Sequence, residues 1–408
     1  MPPQAVAESL QEPVAGFGLL LVGGALAAGL ARRRVRSLTA VFVLAGFALG
    51  DGGAGVLEIS PSSGFVEALA IVALILILFR DGLEVEQEML QGAWHLPLRK
   101  LALAMPITCA LVALATRLLT DLSWTECFLL GALLAPTDPV LSSAVVTNPR
   151  VPRIIRHSLN LESGLNDGLA LPAVLALTAA LGSEEGFVWW EFVLQDVSLG
   201  FATGLVVALI AARLMPRGES LSSEVSAHQK AMYALGVAFT AYGVAVLPPE
   251  GNGLIAVFVC AIVLGIKRPD IRECFEVRSE DIIEVVKLGV FLVFGAVLTL
   301  DGIFGDGLAA CLIVAFTLLL ARPLAVFASL VGTGDVGREG KAFMAWFGPK
   351  GVATMTFALF VLTSGAPEGE RIFNLAALCV LVSILAHGLT DHPGAEWMAR
   401  RAERVRAA

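Results

Sequence analysis

Around residue 160 the chain reads NLESGLNDGLALP, in which Glu162, Ser163, Asn166 and Asp167 carry chemistry. The pairs 162/166 and 163/167 are four apart, so on a helix they form two adjacent polar stripes. Upstream, LLGALLAPTDPVLSSAVV brackets Thr137 and Asp138 between Pro136 and Pro139. Two prolines three apart remove backbone donors and clash with the preceding turn, so a helix has to break there. A third stretch, AWFGPKGVATMTF, sets Lys350 among Gly348, Pro349 and Gly351 and should break a helix in the same way. These are residue types that can line an ion or substrate site. A carboxylate can take either a proton or a dehydrated cation, and hydroxyl, amide and freed backbone oxygens can complete a coordination shell.

The elements that hold these residues are membrane helices. Of 408 residues, 57% are hydrophobic and only 16% charged, and the mean hydropathy is +0.80. This excludes a soluble enzyme and a disordered chain. A hydrocarbon core of ~30 Å needs ~20 apolar residues, fewer where a helix is interrupted. Thirteen segments qualify, at about 15–30, 38–50, 65–79, 100–119, 124–147, 155–181, 191–215, 231–247, 254–266, 281–299, 307–331, 342–363 and 373–391. The start, MPPQAVAESLQEP, has acids and prolines where a signal peptide needs a basic region, so the first segment is expected to be a mature helix.

Basic residues give the orientation. Loops after the odd-numbered segments, with the C-terminal tail, hold 23 of the 28 Lys and Arg. The other side has Arg117 and Arg371, and Lys287, Arg322 and Lys350 fall inside segments. The positive-inside rule then requires an odd helix count, with the N-terminus outside and the C-terminus cytoplasmic. The tail, EWMARRAERVRAA, reads as part of this topology signal, with contact to anionic lipid as the other reading.

Charges at bilayer depth are costly, so each one within a segment is a candidate functional residue unless a partner explains it. The two breaks lie seven segments apart and therefore run in opposite directions, as an inverted repeat requires. Broken helices at matching positions of two halves point to a midplane site. Counted along the sixth segment, Glu162 is ~10 Å and Asp167 ~18 Å from the cytoplasmic end. Arg322, in LLLARPLAVF, lies at a depth of ~12 Å, which makes it the expected ion-pair partner of Glu162. For Ser163 and Asn166 the alternative is a polar network that only joins helices.

APTDP followed by LESGLNDG, within thirteen segments, resembles the NhaP-like sodium/proton antiporters of the cation/proton antiporter family, relatives of the animal sodium/proton exchangers. The resemblance implies an all-α integral membrane protein with inverted repeats and two broken helices crossing at the midplane. It also implies a homodimer in a prokaryotic inner membrane. Residues 1–98 and 183–306 would form the dimerisation domain, 99–182 and 307–392 the transport core, and 393–408 a cytoplasmic tail. The family's ion-coordinating positions fall on Asp167, Ser163 and the backbone at Thr137, with Asp138 and Asn166 in the same site and Glu162 paired to an Arg of the eleventh segment. The family's Gly-Pro-Arg-Gly motif has Lys350 here in place of Arg. A carboxylate on the third helix that joins the site in some members has only Glu67 as a candidate. Asn166 in place of a second acid implies exchange of one proton per cation. The implied activity is antiport of Na⁺, or in the rival reading K⁺, against H⁺, with no cofactor, no nucleic-acid partner and no enzymatic step.

Other features read more plainly. Six cysteines lack metal-ligand spacing and are expected as small core residues. GTGDVG, from Gly332 to Gly337, matches a dinucleotide motif but follows no strand, and its Asp335 sits in a loop rather than opposite a second intramembrane Asp. Lys287, with Glu284 at i−3, is expected to snorkel to the cytoplasmic interface. His157, beside Arg153 and Arg156, is expected in a solvated loop, and Trp189 and Trp190 in an interfacial belt. An ion-coupled organic-anion symporter would use the same broken helices.

Overall fold

In the computed structural model the described residues are 38–407 apart from 62, 90–94, 139–142, 183–186, 217–224 and 335, together with 18 and 22. The first predicted segment, apart from residues 18 and 22, and Asp335 lie outside them. Every described element is a helix: α1 (Leu38–Leu49), α2 (Gly64–Met89), α3 (His95–Leu119), α4 (Trp124–Leu134), α5 (Ser143–Thr147), α6 (Arg153–Gly182), α7 (Trp189–Leu214), α8 (Ala227–Ala245), α9 (Gly253–Lys267), α10 (Pro269–Val297), α11 (Leu300–Ile303), α12 (Leu308–Ser329), α13 (Arg338–Trp346), α14 (Val352–Thr363) and α15 (Gly369–Ala407). Among the described residues α3, α6, α7, α12 and α15 are long and apolar enough to cross a membrane.

The chain breaks where the prolines and glycines demand it. α4 opens on a capping box, with Ser123 Oγ accepting the Glu126 N–H and Glu126 Oε2 accepting the Ser123 N–H, and stops at Leu134, just before Pro136. α13 stops at Trp346, before Gly348 and Pro349, and α14 begins at Val352. At 11 and 12 residues, α4 and α14 each rise less than ~20 Å, about half a bilayer.

Close backbone approach is bought by glycine between α1 and α10, where a Cβ on Gly46 would strike the Leu292 carbonyl and one on Gly295 the Val43 carbonyl. α2 packs on α6, α9, α10 and α14 and lines one cavity with Asp138 and Val352 from the two breaks. Among the described residues three helices carry π-helical turns, at Lys100–Ala104 in α3, Val193–Val197 in α7 and Thr317–Ala321 in α12.

Three boundaries differ from expectation. The third segment runs on to Met89 instead of ending at 79, the tenth begins at Pro269 instead of 281, and the last continues to Ala407. In each case hydropathy stops at the first charges, whereas the helix continues because those charges find partners. The stretch 393–407 packs as helix, with Ala395, Met398 and Ala399 buried. Trp397 stacks on Phe343 at 6.3 Å, and Arg401 pairs with Glu339. His157, expected in a loop, is buried within α6, and Cys311 is exposed on α12 where a core residue was expected.

Candidate functional site

The two breaks cross and complete each other. The Asp138 N–H donates to the Pro349 carbonyl at 2.8 Å, and Asp138 Oδ2 accepts the Val352 N–H at 2.9 Å. In return Lys350 Nζ donates to the carbonyls of Pro136 at 2.9 Å and Ala135 at 3.3 Å. Lys350 is wholly buried. Its glycine neighbours make room for this geometry: a Cβ on Gly351 would collide with the Asp138 carboxylate, and one on Gly348 with the Arg322 guanidinium.

α6 then docks on the break through its polar stripes. Ser163 Oγ donates to the Thr137 carbonyl at 2.7 Å, and Asn166 Nδ2 donates to the same carbonyl and to Thr137 Oγ1, both at 2.9 Å. Two donors therefore already occupy the Thr137 carbonyl, which the family resemblance implied as an ion ligand. Two other oxygens stand ready. Asp167 Oδ1 and Asn166 Oδ1 are buried and accept no hydrogen bond from any described residue. Orphaned acceptors of this kind are costly unless a ligand or water completes them.

Asp167 lines a cavity of about 40 Å³ together with Asp138, Ser163, Arg80, Asp81, Glu84 and Lys287. That is room on the scale of a few water molecules. Asn160, exposed and ~10 Å below Asp167 along α6, lines the same cavity and marks its opening.

The stripe that carries Asn166 is held by ions one turn lower, at Glu162. Arg322 Nη1 lies 3.0 Å from Glu162 Oε1 and Lys100 Nζ 2.6 Å from Oε2, while Lys100 also donates to the Ser158 carbonyl at 3.0 Å. Each cation borders one of the π-helical turns, a feature that often re-aims a side chain at a functional site. Lys100, the first residue of the fourth predicted segment, was counted from sequence among the loop cations. Its position at the very edge of an apolar run was the available signal.

Two expectations are corrected. Lys287 does not snorkel to an interface; it is 4% exposed and lines the Asp167 cavity, where neighbouring carboxylates offset its burial. The carboxylates that the third helix brings to the cavity are Asp81 and Glu84, not Glu67, which sits in the first turn of α2. Asp81 was missed because the segment was cut at 79, before the Arg80–Asp81 pair, whose N–H···O contacts are 2.6 and 2.9 Å. The spacing of Asp81 and Glu84, one helical turn apart, was the legible clue.

Residues 18–397 match the family model described as sodium/hydrogen exchanger, transmembrane. A K(+)/H(+) antiporter NhaP from Alkalimonas amylolytica is 24% identical over 401 residues, covering 96% of this chain and 67% of that protein. A K(+)/H(+) antiporter NhaP2 from Shewanella sp. (strain MR-4) is 26% identical, covering 85% and 60%. The Na(+)/H(+) antiporter NhaG of Bacillus atrophaeus is 27% identical, covering 70% and 55%. The chain thus spans about two thirds or less of the curated relatives it matches. The solved sodium proton antiporter MjNhaP1 from Methanocaldococcus jannaschii superposes with a TM-score of 0.78 at 19% identity, covering 96% and 99%.

Proposed function

The chain belongs to the transmembrane sodium/hydrogen exchanger family, one of integral membrane exchangers and not of enzymes, and on that premise we propose that it exchanges a monovalent cation for a proton at Asp167. The observation that carries this reading is the buried Asp167 oxygen without a donor, facing a small cavity between two broken helices. A carboxylate so placed holds a proton or a cation but not both. Ser163, which lines the same cavity, and Asn166 Oδ1, which no donor occupies, supply further ligands, and the Thr137 carbonyl joins when one of its two donors turns away. Asp138 shapes the site through the start of α14, Glu162 and Arg322 serve structure, and Lys350 neutralises the end of α4.

Thirteen spans in two inverted repeats, a homodimer, and a core of residues 99–182 and 307–392 moving against the remainder complete the proposal. With the N-terminus outside, the opening at Asn160 is cytoplasmic and the conformation inward-facing. One-for-one Na⁺/H⁺ exchange in a prokaryotic inner membrane is the first reading. The names of the relatives from Alkalimonas and Shewanella support K⁺/H⁺ exchange as the second. A cavity of about 40 Å³ argues against an organic anion as cargo. The test is dequenching of a pH dye in proteoliposomes on addition of Na⁺, K⁺ or Li⁺. Absence of cation-dependent proton movement with all three overturns the proposal.

A further inference from the structure

The proposed exchange makes no use of a buried histidine on α15 that spans the break between α13 and α14. His387 is 2% exposed. Its Nε2 lies 2.9 Å from the carbonyl oxygen of Trp346, the last residue of α13. Its Nδ1 lies 2.8 Å from the Ser383 carbonyl oxygen and 3.1 Å from the Ser383 hydroxyl. That hydroxyl accepts the backbone N–H of Lys350 at 2.8 Å. One imidazole therefore touches the residue before the break directly and the residue within it through one serine.

We propose that His387 is a proton-responsive positioning residue, which holds both sides of this break in either protonation state but through different atoms of Ser383. The neutral ring has one N–H and one lone pair. With the proton on Nε2, it donates to Trp346 O, and Nδ1 accepts the Ser383 O–H. A carbonyl oxygen cannot donate, so the 2.8 Å approach of Nδ1 to Ser383 O becomes a hydrogen bond only when Nδ1 is protonated as well. In that state Nδ1–H donates to Ser383 O. The hydroxyl proton then loses its acceptor and turns away, while its oxygen still accepts the Lys350 N–H. Neither state orphans a ring nitrogen, and what the charged state leaves without a partner is the hydroxyl proton of the buried Ser383.

The charge gained falls among cations. Lys350 bears on the ring from the crossing and Arg322 from α12. α5 and α14 carry no titratable side chain. The charges of α13 sit in its first turn, Glu126 of α4 is taken up in that helix's cap, and Asp301 of α11 lies toward the opposite end of α15. On α15 itself, Asp391 accepts the Val145 N–H. A third positive charge beside Lys350 and Arg322 disfavours the crossing that both support, so protonation of His387 should slow turnover. Protonation of Asp167 should instead compete with the cation.

This inference rests on the antiport reading, and the test separates the two. In proteoliposomes, initial exchange rates are measured against cation concentration across roughly pH 5.5 to 8.5, where a histidine titrates. The parent's maximal rate should show a step with pH. His387→Gln, which keeps a donor for Trp346 O but cannot titrate, should lose that step while the apparent KM keeps its pH dependence. A Gln variant with the parent's rate step overturns the inference and leaves antiport standing. A parent without cation-dependent proton movement removes both. If the Gln variant does not fold, Ser383→Ala, which deletes the hydroxyl that the neutral ring uses, must move the same step; an unmoved step is equally fatal.

Discussion

Asp138 and Lys350 each complete the other's helix. The Asp138 carboxylate sits on the N–H of Val352 where α14 starts, and the Lys350 ammonium on the carbonyls of Ala135 and Pro136 where α4 ends. A helix start carries partial positive charge and a helix end partial negative charge, so both ions stand where the backbone favours them. Two motifs far apart in sequence thereby form one crossing.

Lys350→Met should therefore lower stability by about 1–3 kcal/mol, the cost of orphaned buried acceptors, and abolish exchange. Lys350→Arg keeps the charge and should lose less. Thermal unfolding followed by tryptophan fluorescence checks the order, and a Met variant as stable as the parent contradicts it.

Asp167→Asn should leave a folded protein without exchange, because no proton or cation can then be traded at the cavity. The readout is dye dequenching on cation addition, alongside gel filtration in detergent. Residual collapse of a proton gradient would shift the carrier role to Asp81 or Asp138.

Glu162 has two cationic partners, so the single neutralisations should not be equal. Glu162→Gln strands both Lys100 and Arg322 and should cost about 3–5 kcal/mol, the range for breaking a buried ion pair. Lys100→Met and Arg322→Met each leave the carboxylate one partner and should cost less. Adding Lys100→Met to Glu162→Gln should recover part of the loss. A Gln variant of parental stability with weakened apparent cation affinity would instead make Glu162 a ligand.

One proton traded for one monovalent cation moves no net charge. A potassium-diffusion potential set by valinomycin should then leave Na⁺-driven steady-state gradients unchanged. Because Asp81 and Lys287 share the cavity, a voltage effect would implicate one of them in carrying a second proton.

Outside the predicted spans, the Arg268 guanidinium and the Lys230 ammonium hold the Asp270 carboxyl down at about 2, Arg268 being the larger influence. A depressed carboxyl stabilises the fold above its unfolded value of ~4 and loses that contribution as pH falls toward the folded value. Asp270→Asn should thus lower the melting temperature modestly near pH 7, with the gap closing between about pH 4 and 2. A gap independent of pH would show that the ion pairs contribute nothing.

What the sequence determined by itself was local. Proline and glycine constrain their own backbone, so the interruptions after Leu134 and Trp346 were legible without any neighbour. The i,i+4 stripes of Glu162, Ser163, Asn166 and Asp167 were equally plain, because helical periodicity needs only one helix. The tertiary structure decided which charges belong to the interior. Hydropathy ends a span at its first ions because an unpaired charge in hydrocarbon is expensive, and that logic put Arg80 and Lys100 in loops and Lys287 at an interface. Their cost is offset by partners: Asp81, beside Arg80 on α2, the carboxylates of the cavity for Lys287, and Glu162 on α6 for Lys100. Lys100 meets Glu162, and His387 meets Trp346, only once the chain has folded. A pairing energy that depends on distance in space has no signature in distance along the chain.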